Sequence, residues 1–334
     1  MADISAARLN NLQARVELIL GNGAGDSGYG QNGTEGYGAD VASYPVDKNT
    51  DIVQAEHINN IYADILRSKI HQAGPSDPDI RQVVENLTVV AEETSYNVSS
   101  EGAETPDPEG AFKGIADYER IMDGVETDKF LIHPTQGTLT QAVSSVRTNS
   151  WNGLIFHEIK VTFRNADHRR HFFNTGGELR FSANNSNSVQ GKGLDWATLL
   201  RDIGTVVFNH NSTISTGDGN GTNLGNYDLT SAFQTIYDKA GSGTYSNVYA
   251  GNQYNLKARE DDEQTIVFRI EFYDIVSDGA TDDNVDGRLE SVVQEYRSTG
   301  DVVSVPAPTY FNSTTLSVFG NPDTGEPGVY QPVY

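Results

Sequence analysis

The chain has 334 residues, long enough to bury sizeable cores and to form two or three domains. Its 46 Asp and Glu against 23 Lys and Arg leave a formal charge of −23, which repels phosphate backbones and argues against nucleic-acid binding through a general basic field. With no cysteine, disulfides, thiolate metal sites and cysteine catalysis are excluded.

No run approaches the ~18 apolar residues that span a bilayer, so membrane insertion is not expected. The opening MADISAARLNNLQ lacks a basic region followed by an apolar run, so the expectation is folding in a cytoplasm, with release by a route other than secretion. A hydrophobic content of 37% with 33 glycines is loop-rich and β-leaning.

Residues 3–20 read as an amphipathic helix: Asp3 or Ser5 can cap it, and Leu9, Leu12, Val16, Ile19 and Leu20 form one stripe. The eight glycines of 21–38 rule out a regular element there. That segment is either a flexible linker or an arm that orders on a neighbouring subunit, with Tyr29 and Tyr37 as anchors. A second helix is predicted over 51–72, stopped by Gly74-Pro75, with His57 and His71 at its surface. A short helix or mixed segment follows over 80–91. Residues 92–111, acidic and rich in Ser, Pro and Gly, mark a boundary, and 112–125 reads as helical again.

A β-rich body begins near Ser150, with strands expected at 154–164, 177–183, 204–209, 247–258, 264–274 and 287–297. Within it, helices are predicted at 194–202 and 228–239, and an exposed loop at 209–226. Asp167–Asn174 (DHRRHFFN) reads as a charged connection between two strands of one sheet. The last 34 residues hold five prolines and read as an extended arm with short strand pieces.

The fold class is therefore α+β. An N-terminal helical and extended docking region (1–91) and an acidic connecting segment (92–149) precede a mainly antiparallel, sandwich-like body (150–300) with short helices and the C-terminal arm (301–334).

Candidate sites are few. Arg169 and Arg170 form the densest basic cluster, and guanidinium forks pair well with carboxylates on an adjacent subunit; a solvated strand end is the alternative. His168 and His171 flank them as H-x-x-H, which is not the i, i+4 spacing of helical zinc enzymes. Asp282, Asn284 and Asp286 stand at positions 1, 3 and 5 of a calcium-type loop, with Gly287 at 6. Val293 occupies the twelfth position, where a bidentate carboxylate belongs, and this favours a solvated acidic hairpin over a Ca²⁺ site. Neither a nucleophile elbow nor a phosphate-binding glycine loop occurs. A glycosidase carboxylate pair cannot be singled out among 46 acids.

Several stretches together carry a resemblance. LNNLQARVELILGNG, GYGQ and QAEHINNIYADILRSKIHQAG, then HFFNTGGELRFSA, LDWATLLRDIG, YDIVSDGATDDNVDGRLES and the Pro-rich tail resemble virion structural proteins of tailed phages, especially the T4-like phages of marine cyanobacteria. The resemblance implies a non-enzymatic tail, baseplate, neck or fibre-attachment component with no catalytic residues, assembled in the host cytoplasm with other virion proteins. A symmetric homo-oligomer, trimer or hexamer, is expected. A receptor-binding fibre or spike module, using tyrosines 245 and 249 on loop 241–253 against glycan, is the alternative, as is a capsid decoration protein.

Overall fold

The computed structural model describes residues 6–22, 36–47, 53–76, 96–98, 104–106, 115–189, 191–274, 284–312 and 317–319. In chain order its elements are α1 (Ala6–Ile19), α2 (Ala55–Ala73), β1 (Tyr96–Val98), β2 (Glu104–Pro106), α3 (Ile115–Thr127), β3 (Gly137–Arg147), β4 (Gly153–Thr162), α4 (Ala166–Asn174), β5 (Glu178–Ser186), α5 (Gly191–Ile203), β6 (Thr205–Phe208), β7 (Thr213–Ser215), β8 (Asn220–Gly221), β9 (Gln234–Ala240), β10 (Gln253–Asp262), β11 (Thr265–Asp274), β12 (Arg288–Ser298), β13 (Thr309–Asn312) and β14 (Ser317–Phe319). The fold is α+β, with helices first and two antiparallel sheets after them. The predicted segment 80–91 lies outside the described residues.

The chain divides into two compact units: Met1–Thr138 with Arg170–Gly176 and Arg297–Pro306, and Leu139–Arg169 with Gly177–Tyr296 and Ala307–Tyr334. In the first, three helices share a core. The predicted stripe of α1 (Leu9, Leu12, Val16, Ile19) packs with Ile58, Ile61 and Ile65 of α2 and with Ile115, Ile121, Met122 and Val125 of α3. Two ion pairs repeat at a seven-residue interval along α1 and α3, Arg8–Glu119 at 2.6 Å and Arg15–Glu126 at 2.7 Å. Seven residues are about two helical turns, so both pairs fall on one seam.

Residues 36–47 run through this unit with neither helix nor strand, yet Tyr37 and Val46 enter its core. Side chains supply what a ladder would. The buried Asp64 carboxylate accepts from the amides of Ala42 and Ser43 at 2.9 and 2.8 Å, and the Asn10 amide bonds both Val46 N and Val46 O at 2.8 Å.

The second unit is built on sheets of order β13-β4-β11-β10-β9-β8, with β14 also on β4, and β3-β12-β5-β6-β7. Alternation places Ile155, Ile159 and Val161 of β4 inward, and their neighbours Phe156, Glu158 and Lys160 outward. The two sheets meet face to face: Phe268 of β11 lies 4.9 Å from Phe181 of β5 and 5.1 Å from Phe208 of β6, ring centre to ring centre. Burying such a side chain contributes roughly 1.5–3 kcal/mol. Outward-facing residues of the larger sheet pair across strands, as in Glu158–Arg269 at 2.8 Å, Lys160–Asp261 at 2.8 Å and Lys257–Glu271 at 2.9 Å.

Four expectations are corrected. Asp167–Asn174 lies in the helix α4, whose first turn is capped by Asn165 Oδ1 accepting from His168 N at 2.8 Å, and the strands it joins, β4 and β5, belong to different sheets rather than to one. The predicted helix at 228–239 is a 3₁₀ turn, Asn226–Asp228, followed by β9, which pairs Tyr237 with Leu256. Only the second part of 247–258 is strand; Asn247–Gly251 is a 3₁₀ turn. His57 and His71 are buried, not at the surface. Among the described residues no helix is long and apolar enough to cross a membrane.

Helix α5 is fixed to the larger sheet by a buried ion pair, Lys192 Nζ to Asp274 Oδ2 at 2.9 Å, with both side chains fully enclosed. With its amide oriented to satisfy both neighbours, Asn252 donates to Asp274 Oδ1 at 2.8 Å and accepts from Trp196 Nε1 at 3.3 Å. Breaking such a pair strands a charge in the interior, so Asp274→Ala should lower unfolding free energy by about 3–5 kcal/mol in urea titration, while Lys192→Met/Asp274→Leu recovers most of it.

Candidate functional site

The basic cluster predicted as an interface lies on α4, and the unit boundary falls between its two arginines. Arg169 is only 5% exposed, and its guanidinium is engaged within its own chain. Nε donates to Asn226 Oδ1 at 2.7 Å and Nη2 to Asn226 O at 3.2 Å, while Nη1 donates to Glu260 Oε2 at 2.7 Å and Asp262 O at 3.3 Å. The planar fork thus ties the 3₁₀ turn at 226 to the β10–β11 hairpin. Arg169 is therefore neither a solvated end nor exposed to a neighbour.

Arg170 is also buried, with Nη2 at 3.4 Å from His171 Nε2. The His171 ring lies directly over Gly38, at φ +73°, where any added Cβ would collide with the imidazole. Tyr37 is buried; its hydroxyl donates to Lys129 O and accepts from Gln72 Nε2, both at 2.7 Å, and burial raises its pKa above the ordinary phenol value. It anchors the chain to itself. Tyr29 lies outside the described residues.

Of the calcium-type set, Asp282 lies outside the described residues and Asn284 is exposed. The Asp286 carboxylate accepts from Ser188 Oγ and, at 2.9 Å, from Val189 N, so it latches the segment before α5. Gly287, at φ +102°, packs against Ser186 O. Among the described residues no group of three or more His, Asp or Glu side chains converges as a metal site, and His168 and His171 join no such group.

A cleft of about 560 Å³ opens beside the start of α4, between Asn165, Ala166 and Asp167 and the hairpin residues Asp262, Glu263 and Gln264. Helix starts attract anions, but here three carboxylates occupy the rim. All three are exposed to solvent, whereas a glycosidase acid sits in an apolar pocket. The buried Asp195, which sequence reasoning did not single out, accepts from Tyr245 N at 3.3 Å. Burial raises its pKa above the usual carboxylate range, and it does not line the cleft.

Two histidines carry the clearest electrostatic signature. His157 of β4 meets Ser291 Oγ of β12 at 3.0 Å between the two sheets. In the other unit, His71 Nε2 donates to Thr175 O at 3.1 Å. Burial lowers the pKa of each from 6.5 to about 4. The polar side chains here join structural elements: His157 faces Ser291, and His71 Nδ1 lies 3.5 Å from Ser298 Oγ, with all four side chains buried. Compared with protein-family models, curated proteins and solved structures, the chain matches none.

Arg169→Lys keeps the charge but loses the fork, and should cost about 1–3 kcal/mol in urea titration; Arg169→Ala should cost more, by leaving Asn226 and the hairpin carbonyls unpaired. For the histidines, the unfolded chain binds protons that the folded chain refuses. Their stabilisation is complete above pH 6.5 and is lost as pH falls through about 4, at up to about 3 kcal/mol each. In NMR titration two imidazole signals should stay neutral down to pH 5; titration of all seven near 6.5 would contradict this assignment.

Proposed function

We propose that this chain is a non-enzymatic structural subunit of a tailed-phage particle, a tail, baseplate, neck or fibre-attachment component. It is assembled in the host cytoplasm, works with other virion structural proteins, and is present in symmetric copies such as three or six. The resemblance across its helices, body and tail supports this reading.

The structural observation that supports it most is the segment 36–47, an extended strap held by Asp64 and Asn10 and sunk into a helical core. The C-terminal strands β13 and β14 likewise complete one edge of β4. A chain that fills cores and edges with extended segments can offer and accept such segments between subunits, as obligate assemblies do. The inward-turned charges fit a building role better than a chemical one.

A second reading, a receptor-binding fibre module, draws on Tyr245, which is 52% exposed, whereas Tyr249 is buried. An exposed tyrosine face can stack on sugar.

The test is peptide mass spectrometry of gradient-purified particles from a phage lysate, with immunogold labelling. The chain should co-band with particles at a fixed stoichiometry and label a symmetric position. Recovery only in the soluble lysate would end the proposal. Binding of host polysaccharide by the purified chain, abolished in Tyr245→Ala, would move the assignment to the receptor-binding module.

A further inference from the structure

Sheet edges present unpaired amides and carbonyls to any incoming strand, and proteins blunt them by shortness, charge or proline. Most edges here are short. The larger sheet ends in β8, with two residues, and in β13 and β14, with four and three. The smaller sheet ends at one side in β7, three residues long and bridged from Thr213 to Thr222. Its other end is β3, eleven residues long.

Over its first ten residues, GTLTQAVSSV (137–146), β3 lacks charge and proline, the defences that side chains supply; Arg147 is the first ionised group. Thr138, Leu139, Thr140 and Gln141 are all exposed, Leu139 by 45%, so neither face of this half is covered. β12 occupies one edge, and among the described residues no strand pairs with the other.

We infer that the outer edge of β3 is a self-association site, pairing antiparallel with β3 of a second copy across a two-fold axis. Charge selects the occupant. Each copy carries −23, so two copies meet with least repulsion where the surface is uncharged, and β3 provides an uncharged strand on both sides. A cationic partner would find no carboxylate on this strand to select it.

Pairing centred on Gln141 sets Leu139 of each strand opposite Val143 of the other, on one face. The two Gln141 amides meet on the axis, each with a donor and an acceptor for the other. Such a contact is isologous and closes, so it extends the sheet without opening a filament. The inference concerns the purified chain alone and stands independently of the virion assignment.

Light scattering and sedimentation of the full chain test it. The expected mass is twice the 36.3 kDa chain, or a larger even multiple. Leu139→Lys/Gln141→Lys, at two exposed positions, should halve that mass, leave circular dichroism unchanged and remove the concentration dependence of the melting temperature. Gln141→Cys, in a chain with no other cysteine, should form a disulfide-linked dimer on mild oxidation. Hydrogen-bonded antiparallel pairs lie ~5.5 Å apart at Cα, within disulfide reach. A monomeric wild type, an odd-numbered assembly, a lysine variant of unchanged mass, or a dimer that the Gln141→Cys substitution fails to cross-link would each overturn it.

Discussion

The structure works with a shortage of positive charge. Each of the 23 Lys and Arg has about two carboxylates to choose from, and many ion pairs form where two elements have to be held together. Arg8 and Arg15 join α1 to α3, Lys192 joins α5 to the end of β11, and Arg169 joins a 3₁₀ turn to a hairpin. On the outward face of the larger sheet, Arg269 pairs with Glu158 while lying over the Phe156 and Phe233 rings. Exposed acids such as Asp167, Asp262 and Glu263 stay in water, where repulsion between them costs little. A cation so placed is unavailable for binding a ligand, which accounts for a basic cluster on α4 without a basic surface.

What the sequence disclosed followed the range over which each signal acts. The helical stripe of α1 and the alternation of β4 and β11 are local patterns, and both elements lie close to where they were expected. β9 was misread because Leu229, Phe233 and Ile236 fall at helical spacing. What decides its conformation is pairing with β10, some twenty residues on, which no local periodicity reports. α4 was missed because nine residues offer too little stripe to read, although Asn165 was a visible cap.

The candidate residues divide in the same way. The unusual character of DHRRH was plain, but Arg169 bonds partners 57 and 91 residues away, and nothing near it announces them. Tyr37 was expected to anchor on a neighbouring subunit, but its hydroxyl bonds Gln72 and Lys129 of its own chain, and neither partner is announced by the residues near it. The Asp286-Gly287 pair that suggested calcium is real turn chemistry: a carboxylate gathering neighbouring donors, then a glycine where the backbone turns left-handed. Oxygen-rich turns and cation sites share that vocabulary, and only the placement of every carboxylate separates them.

The attachment of β13 to β4 has a consequence in time. Thr309 bonds Thr162, which was added to the growing chain 147 residues earlier. At cellular synthesis rates that interval is roughly 7–30 s, during which one flank of β4 has been made and its partner has not. The larger sheet is therefore completed only after β13 has been made, and until then that flank of β4 is an open edge for other strands.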